Sequence, residues 1–271
     1  MKAHAEKPVL ENVDVVANDR VAEGVGLIVL RAPRCAHSVR PGQFVHLRVS
    51  RGADIILRRP FSVHRVHDDK IEILYQILGD GTLRLAQKPV GDRSMDVVGP
   101  LGHGWEIPPG ISHALLVAGG LGAAPLGMLA EELAAQGIAV SVAQGAPTAS
   151  RLVGRDVFER VARRVELSTD DGSVGERGFV TGPVERLLAS EAFDVVYICG
   201  PEAMQRAVVV LAERARVKCQ VSLERLMACG IGACLSCVVS TRTGLKRACV
   251  DGPVFDAQEV VWDASQTPPK H

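Results

Sequence analysis

Four cysteines crowd the C-terminal end of this 271-residue sequence: Cys229-x4-Cys234-x2-Cys237, then Cys249 after eleven intervening residues. A [2Fe–2S] cluster needs four thiolates, two on each iron, and a C-x4-C-x2-C run with a distant fourth cysteine supplies them. Three of the four share one loop, CGIGACLSC. Its Gly230 and Gly232 let the backbone fold over a cluster and aim N–H groups at the sulfurs. A structural zinc site can also use four cysteines, but it draws them as two short pairs on separate knuckles. Cys35, Cys199 and Cys219 are scattered. An odd total of 7 cysteines, in a chain whose start lacks a signal-peptide core, disfavours a disulfide framework.

A second set of residues suits a flavin. Arg59-Pro60-Phe61-Ser62 resembles the Arg-x-Tyr-Ser/Thr motif of the ferredoxin–NADP reductase superfamily, with Phe61 in the usual Tyr position. An arginine can pair with a pyrophosphate through a forked hydrogen bond. An aromatic ring can lie against a flavin, and a serine hydroxyl can reach the ring's N5 edge. Gly79-Asp80-Gly81-Thr82 opens a predicted helix whose free N–H groups suit phosphate. The strand Leu74-Tyr75-Gln76 lies between the two motifs and can flank the cofactor.

A third set suits a nicotinamide nucleotide. Gly119-Gly120-Leu121-Gly122 joins a predicted strand to a helix with Pro125 in its first turn. Cys199-Gly200-Pro201 ends a later strand, and Thr169-Asp170-Asp171-Gly172 ends another. The carboxyl ends of strands are where an open α/β sheet binds ligands. The acid expected about 20 residues beyond the glycine turn is missing, so NAD and NADP are not separated by these residues.

The elements that must position these groups follow from periodicity. Short Val-, Leu- and Ile-rich strands over Val9–Val16, Gly26–Ala32, Phe44–Val49, Phe61–Val66 and Lys70–Leu78 predict an antiparallel barrel over residues 1–108. One helix interrupts it, near Thr82–Gln87. Strands and helices then alternate over 109–218, predicting a doubly wound parallel sheet. Residues 219–271 form a tail too short for its own core, for which a bound metal centre could substitute.

Taken together, LRRPFSV, LGDGT, VVGPLGHGW, VAGGLGAAPL, YICGPEAM, SLERLMACGIGACLSCVV and KRACVDGPVFDAQEVVW resemble the electron-transfer subunit of NAD-dependent (type B) dihydroorotate dehydrogenase along essentially the whole chain. The resemblance implies a partner: an FMN-containing catalytic subunit that oxidises dihydroorotate, in a heterotetramer of two plus two. Electrons would pass through this chain's [2Fe–2S] cluster and FAD to NAD+, in pyrimidine biosynthesis. It implies FAD contacts from Arg59, Pro60, Phe61, Ser62, Leu74, Tyr75, Gln76, Gly81 and Thr82. Gly119, Gly120, Gly122, Cys199, Gly200 and Pro201 would serve the nicotinamide, and Cys229, Cys234, Cys237 and Cys249 the cluster. Related subunits serve sulfide dehydrogenase-like transhydrogenases and soluble hydrogenases. A binding protein with a zinc-stabilised tail is the alternative of another class.

Composition excludes some partners. Lys plus Arg equals Asp plus Glu at 31 each, so no basic excess points to nucleic acid or an anionic membrane. No stretch is long and apolar enough to span a bilayer, and a cytoplasmic location is expected. The histidines His37, His46, His64, His67, His103 and His113 lack metal-ligand spacing and read as ordinary surface or barrel residues. No catalytic dyad is expected, because hydride transfer between nicotinamide and flavin needs alignment rather than an acid or base.

Overall fold

The computed structural model describes residues 7–50 and 55–262. The polar SQTPPKH end of the chain lies outside them. The first unit contains β1 (Val9–Ala22), β2 (Val25–Arg31), α1 (Pro33–Ser38), β3 (Phe44–Arg48), β4 (Arg59–Ser62), β5 (Arg65–His67), β6 (Lys70–Gln76), α2 (Asp80–Ala86) and β7 (Met95–Leu101). Its seven strands form one antiparallel sheet, ordered β4-β3-β7-β1-β2-β6-β5. Alternate residues turn inward: Val13 and Val15, Ile28 and Leu30, Ile71, Ile73 and Tyr75, Met95 and Val97 share one core.

The single strand expected over Phe61–Val66 is two strands, because the chain changes ladders there. Val63 N–H donates to Gln43 O at 3.2 Å, and His64 N–H to Glu72 O at 2.8 Å. That step carries the chain from the β3 side to β6 and brings the ends of the sheet together, as in a barrel. Two elements escape the sequence pattern. Helix α1 is capped by a distant side chain: the Glu11 carboxylate accepts N–H bonds from Arg34 and Cys35, both at 3.0 Å. Strand β7 runs through Pro100, where the pairing with β3 shifts register between Phe44 and His46.

The second unit contains β8 (His113–Gly119), α3 (Ala124–Ala135), β9 (Ala139–Ala146), α4 (Arg155–Val161), β10 (Arg164–Thr169), β11 (Glu176–Arg177), α5 (Thr181–Ser190), β12 (Val195–Cys199), α6 (Glu202–Arg214) and β13 (Lys218–Ser222). A hairpin of β14 (Val238–Thr241) and β15 (Gly244–Arg247) follows, then β16 (Val254–Asp256). The second sheet is ordered β11-β10-β9-β8-β12-β13-β16, and only β16 is antiparallel. Every residue from Ala114 to Ala118 is fully buried, as a central parallel strand covered on both faces requires. Among the described residues no helix is long and apolar enough to cross a membrane.

The boundary drawn at 218/219 falls inside β13. That strand pairs with β12 from Val195↔Lys218 to Cys199↔Ser222, and β16 returns to pair with β13. The segment between β13 and β16 is thus a loop and hairpin inserted before the last strand of the α/β sheet. It builds no core of its own. Cys237, Val239, Ala248 and Cys249 pack in the same cluster as Val196, Ile198, Val221 and Phe255.

Phe255→Ala removes the ring that anchors β16. A loss of about 3–5 kcal/mol is expected, with a fall in melting temperature and in bound iron together. An unchanged melting curve would show that β16 does not hold the insertion.

Candidate functional site

The loop between β13 and β14 carries the first three ligand cysteines. Its backbone turns inward: the N–H groups of Ile231 and Cys234 point at Cys229 Sγ, at 3.5 and 3.4 Å. Ser236 Oγ lies 3.1 Å from Cys234 Sγ. These contacts, Ser236 first and Cys229 second, pull the Cys234 thiol down to about 6, so it is a ready thiolate. Cys249 goes the other way. Burial, with Cys237 beside it, pushes it up to about 12. The hairpin makes that pair: Ala248 N–H donates to Cys237 O at 2.9 Å, leaving Cys249 next along the chain. Cys237 and Cys249 are buried, Cys229 is half-buried and Cys234 is exposed.

The loop is held in an unrelaxed shape. Leu235 has φ +57, which costs a non-glycine residue roughly 1–3 kcal/mol. Arg247 Nη1 donates to Gly232 O at 3.3 Å while its Nε meets Asp251 Oδ2 at 3.1 Å, tying loop to hairpin. Inward N–H groups, a ready thiolate and four gathered cysteines are the donor set that a [2Fe–2S] cluster needs. Among the described residues no three His, Cys, Asp or Glu side chains close around a single ion. A two-iron cluster spreads its four thiolates over two metals.

The flavin motif occupies β4. Arg59 reaches the start of α2, where a Cβ on Gly81 would lie 3.0 Å from its Nε. A guanidinium over a helix start is a fitting cradle for pyrophosphate. The neighbouring Arg58 pairs with Asp96 instead. The half-buried Phe61 ring meets Tyr75 edge-on, at 6.2 Å between centroids. Along β6 the side chains alternate. Leu74 joins the α/β core, whereas Tyr75 enters the barrel core and donates its hydroxyl to Asn18 Oδ1 at 2.9 Å. The Tyr75 ring is thus buried in the barrel. The Thr82 hydroxyl closes its own turn, accepting from Leu78 and Gly79 N–H at 2.9 and 3.2 Å.

The glycine turn and Cys199-Gly200-Pro201 meet where the strand order reverses, between β8 and β12. This is the crevice in which open α/β sheets bind ligands. The two turns touch backbone to backbone. A Cβ on Gly122 would lie 2.1 Å from Cys199 O, and one on Gly119 would lie 2.4 Å from Met204 Sδ. Gly120, at φ +53, faces open space. Gly119 and Gly122 thus serve packing, and Gly120 is the one that leaves room for a ligand. Cys199 is buried, with its pKa raised by burial and then by Glu224. The turn Thr169–Gly172 is closed on itself, with Thr169 Oγ1 donating to Val174 O at 2.9 Å.

Sequence reasoning passed over Met204, Glu224 and two histidines. Glu224 reaches solvent two residues beyond β13, yet protein crowding raises its pKa. His46 and His64 are buried contacts between units rather than ordinary surface or barrel residues. His64 Nδ1 lies 3.0 Å from Ala124 O at the start of α3. His46, on β3, lies against Gly230 of the cysteine loop. Histidine spacing along the sequence gives no hint of either contact.

An antiparallel barrel, a nucleotide-type α/β sheet and a cysteine loop against β3, the neighbour of the flavin-motif strand, define a flavin and iron–sulfur reductase with the ferredoxin–NADP reductase fold. A chain of the NADH-dependent reduced ferredoxin-NADP oxidoreductase, whose structure addresses flavin-based electron bifurcation, superposes with a TM-score of 0.85. It is 32% identical, over 97% of this chain and 92% of that one. A profile for the iron-sulfur cluster binding domain of dihydroorotate dehydrogenase B matches residues 224–261, and one for the oxidoreductase NAD-binding domain matches 116–209. The dihydroorotate dehydrogenase B (NAD(+)) electron transfer subunit of Desulforamulus reducens is 38% identical over 92% of this chain and 97% of its own length. That of Geobacillus thermodenitrificans is 41% identical over 93% and 98%. The chain belongs to the family of dihydroorotate dehydrogenase B electron transfer subunits.

Two substitutions separate the sites. Cys234→Ser is expected to lose most of its iron and acid-labile sulfide while keeping FAD, as metal analysis and the flavin spectrum would report. A full iron complement would contradict the ligand assignment. Gly122→Ala forces its methyl into the Cys199 carbonyl. It should cost about 1–3 kcal/mol and raise KM for NADH with FAD content unchanged; an unaltered KM would place the nucleotide elsewhere.

Proposed function

We propose that this chain carries electrons from an FMN-containing, dihydroorotate-oxidising subunit to NAD+ in pyrimidine biosynthesis. The observation that carries the reading is a contact: the loop holding Cys229 packs on β3, the pairing partner of the Arg59–Ser62 strand. When bound, FAD supplies the exchange between a hydride and single electrons, and a [2Fe–2S] cluster supplies the single-electron relay.

The chain's own residues hold and align these groups. Arg59, with Gly81 and Thr82 at the start of α2, takes the FAD pyrophosphate. Pro60, Phe61 and Ser62 line the flavin ring, with Leu74, Gln76 and the Tyr75 backbone along its flank. Gly119, Gly120 and Gly122, with Cys199, Gly200 and Pro201, shape the crevice for the nicotinamide. Cys229, Cys234, Cys237 and Cys249 ligate the cluster. Cys199 is too buried to act as a nucleophile or acid. Alignment and exclusion of water do the work instead.

The partner's position follows from exposure. Leu226, Ile231, Leu235 and Leu245 stand exposed on the cluster loop and its hairpin, alongside exposed Cys234. Apolar residues gathered around a redox centre suit a covering subunit that excludes water there. We place residues 1–108 as the flavin unit and the following α/β unit as the nicotinamide unit. The cluster module is inserted between β13 and β16. The assembly is two catalytic and two electron-transfer subunits, in the cytoplasm, where thiols stay reduced.

The isolated chain, loaded with FAD and cluster, is expected to oxidise NADH with ferricyanide or a dye and to leave dihydroorotate untouched. Adding the FMN subunit should give NAD+-dependent orotate formation. Orotate formation by this chain alone, or co-purification with a hydrogenase or transhydrogenase subunit, would overturn the assignment.

A further inference from the structure

His46 is a buried imidazole with an unexplained environment. It is 1% exposed, and neither ring nitrogen has a hydrogen-bond partner. Against the larger opposing effect of burial, the Cys229 and Arg58 backbones beside the ring favour its protonated form, without closing a well-formed hydrogen bond. Burying a polar ring without partners is unfavourable, so the position calls for a compensating role.

Its placement suggests one. His46 sits opposite Pro60 in the β3–β4 ladder, inside the flavin motif, and its carbonyl accepts from Arg58 Nη1 at 3.3 Å. The ring then crosses to the other module. A Cβ on Gly230 would lie 2.6 Å from His46 Nδ1 and 3.1 Å from Cγ and Cε1. Gly230 follows Cys229 directly and has φ +70. The imidazole therefore spans the gap between the flavin strands and the first ligand cysteine. A leucine of similar volume would fill that gap more cheaply, so packing alone does not account for a histidine.

We infer that His46 is a positioning residue for the iron–sulfur cluster, supplying a ring N–H to the Cys229 side of the cluster loop and holding that loop against the flavin strands. The inference rests on the reading of Cys229, Cys234, Cys237 and Cys249 as cluster ligands. An N–H donor to a cluster's sulfur surroundings stabilises the more negative, reduced form, and so raises the reduction potential.

The test uses the assembled complex and two variants, His46→Leu, which removes the donor, and His46→Gln, which keeps an N–H. Iron, sulfide and FAD contents come first, then the paramagnetic resonance spectrum and midpoint potential of the reduced cluster. The rate of cluster reduction by NADH completes the set. His46→Leu is expected to keep FAD, lower the cluster potential, alter its spectrum and slow cluster reduction about tenfold. His46→Gln should restore potential and spectrum toward the wild type. If His46→Leu arrives without cluster, recovery of the cluster in His46→Gln supports the donor role, and equal loss in both overturns it. A His46→Leu protein with wild-type potential, spectrum and rate also overturns it. A wild-type complex without a [2Fe–2S] spectrum would instead sink the ligand reading.

Discussion

The structure depends on close approach at a few glycines, which have no side chain of their own to stand in the way. Gly122 lies so near the Cys199 carbonyl that a methyl group there would overlap it. Gly127 of α3 receives the His64 ring of the flavin unit, and Gly102 lies against the Gly252 carbonyl and Pro253 of the returning tail. Electron transfer falls off steeply with separation, so close approach at these points and at the seams between units suits a chain that relays electrons.

Those seams are fastened by polar contacts that only make sense between units. Trp105 Nε1–H donates to Pro125 O at 2.9 Å, and its ring meets Tyr197 edge-on at 5.5 Å. Tyr197 and Gln220 both donate to Glu106 O, at 3.0 and 2.6 Å. Arg65 on β5 pairs with Glu131 on α3 at 2.9 Å. The tail is fastened twice, by β16 along the α/β sheet and by His103 N–H donating to Gly252 O at 2.6 Å. The flavin unit and the α/β unit are thereby held together, and the cysteine loop rests on β3 through Gly230 and His46.

Much of this was legible in the residues. Period-two apolar strands and the strand–helix alternation located both sheets, because burial on one face or two leaves a direct imprint on composition. The cysteine spacing announced its chemistry because a cluster loop is local. What escaped was held by distant partners. Helix α1 owes its cap to Glu11, on β1. Strand β7 hides behind Pro100, and β13 and β16 are short strands whose pairing is visible only in three dimensions. Tyr75, read as a cofactor neighbour from its place beside Leu74 and Gln76, turns to the opposite face of its strand. Adjacent strand residues always do so, and the direction is set by the barrel.

The sequence by itself determined the types of centre this chain can hold, since ligand identity and loop spacing are properties of short segments. It also determined the order of the units along the chain. Only the tertiary structure decided where the motifs lie relative to one another. It returned the tail to the α/β sheet through β16 and set His46 against Gly230. It also divided the glycines of one turn between packing and ligand access. Those outcomes depend on contacts between residues tens to hundreds of positions apart. Such contacts arise from the free energy of burying whole elements together, and no local pattern of residue types encodes them.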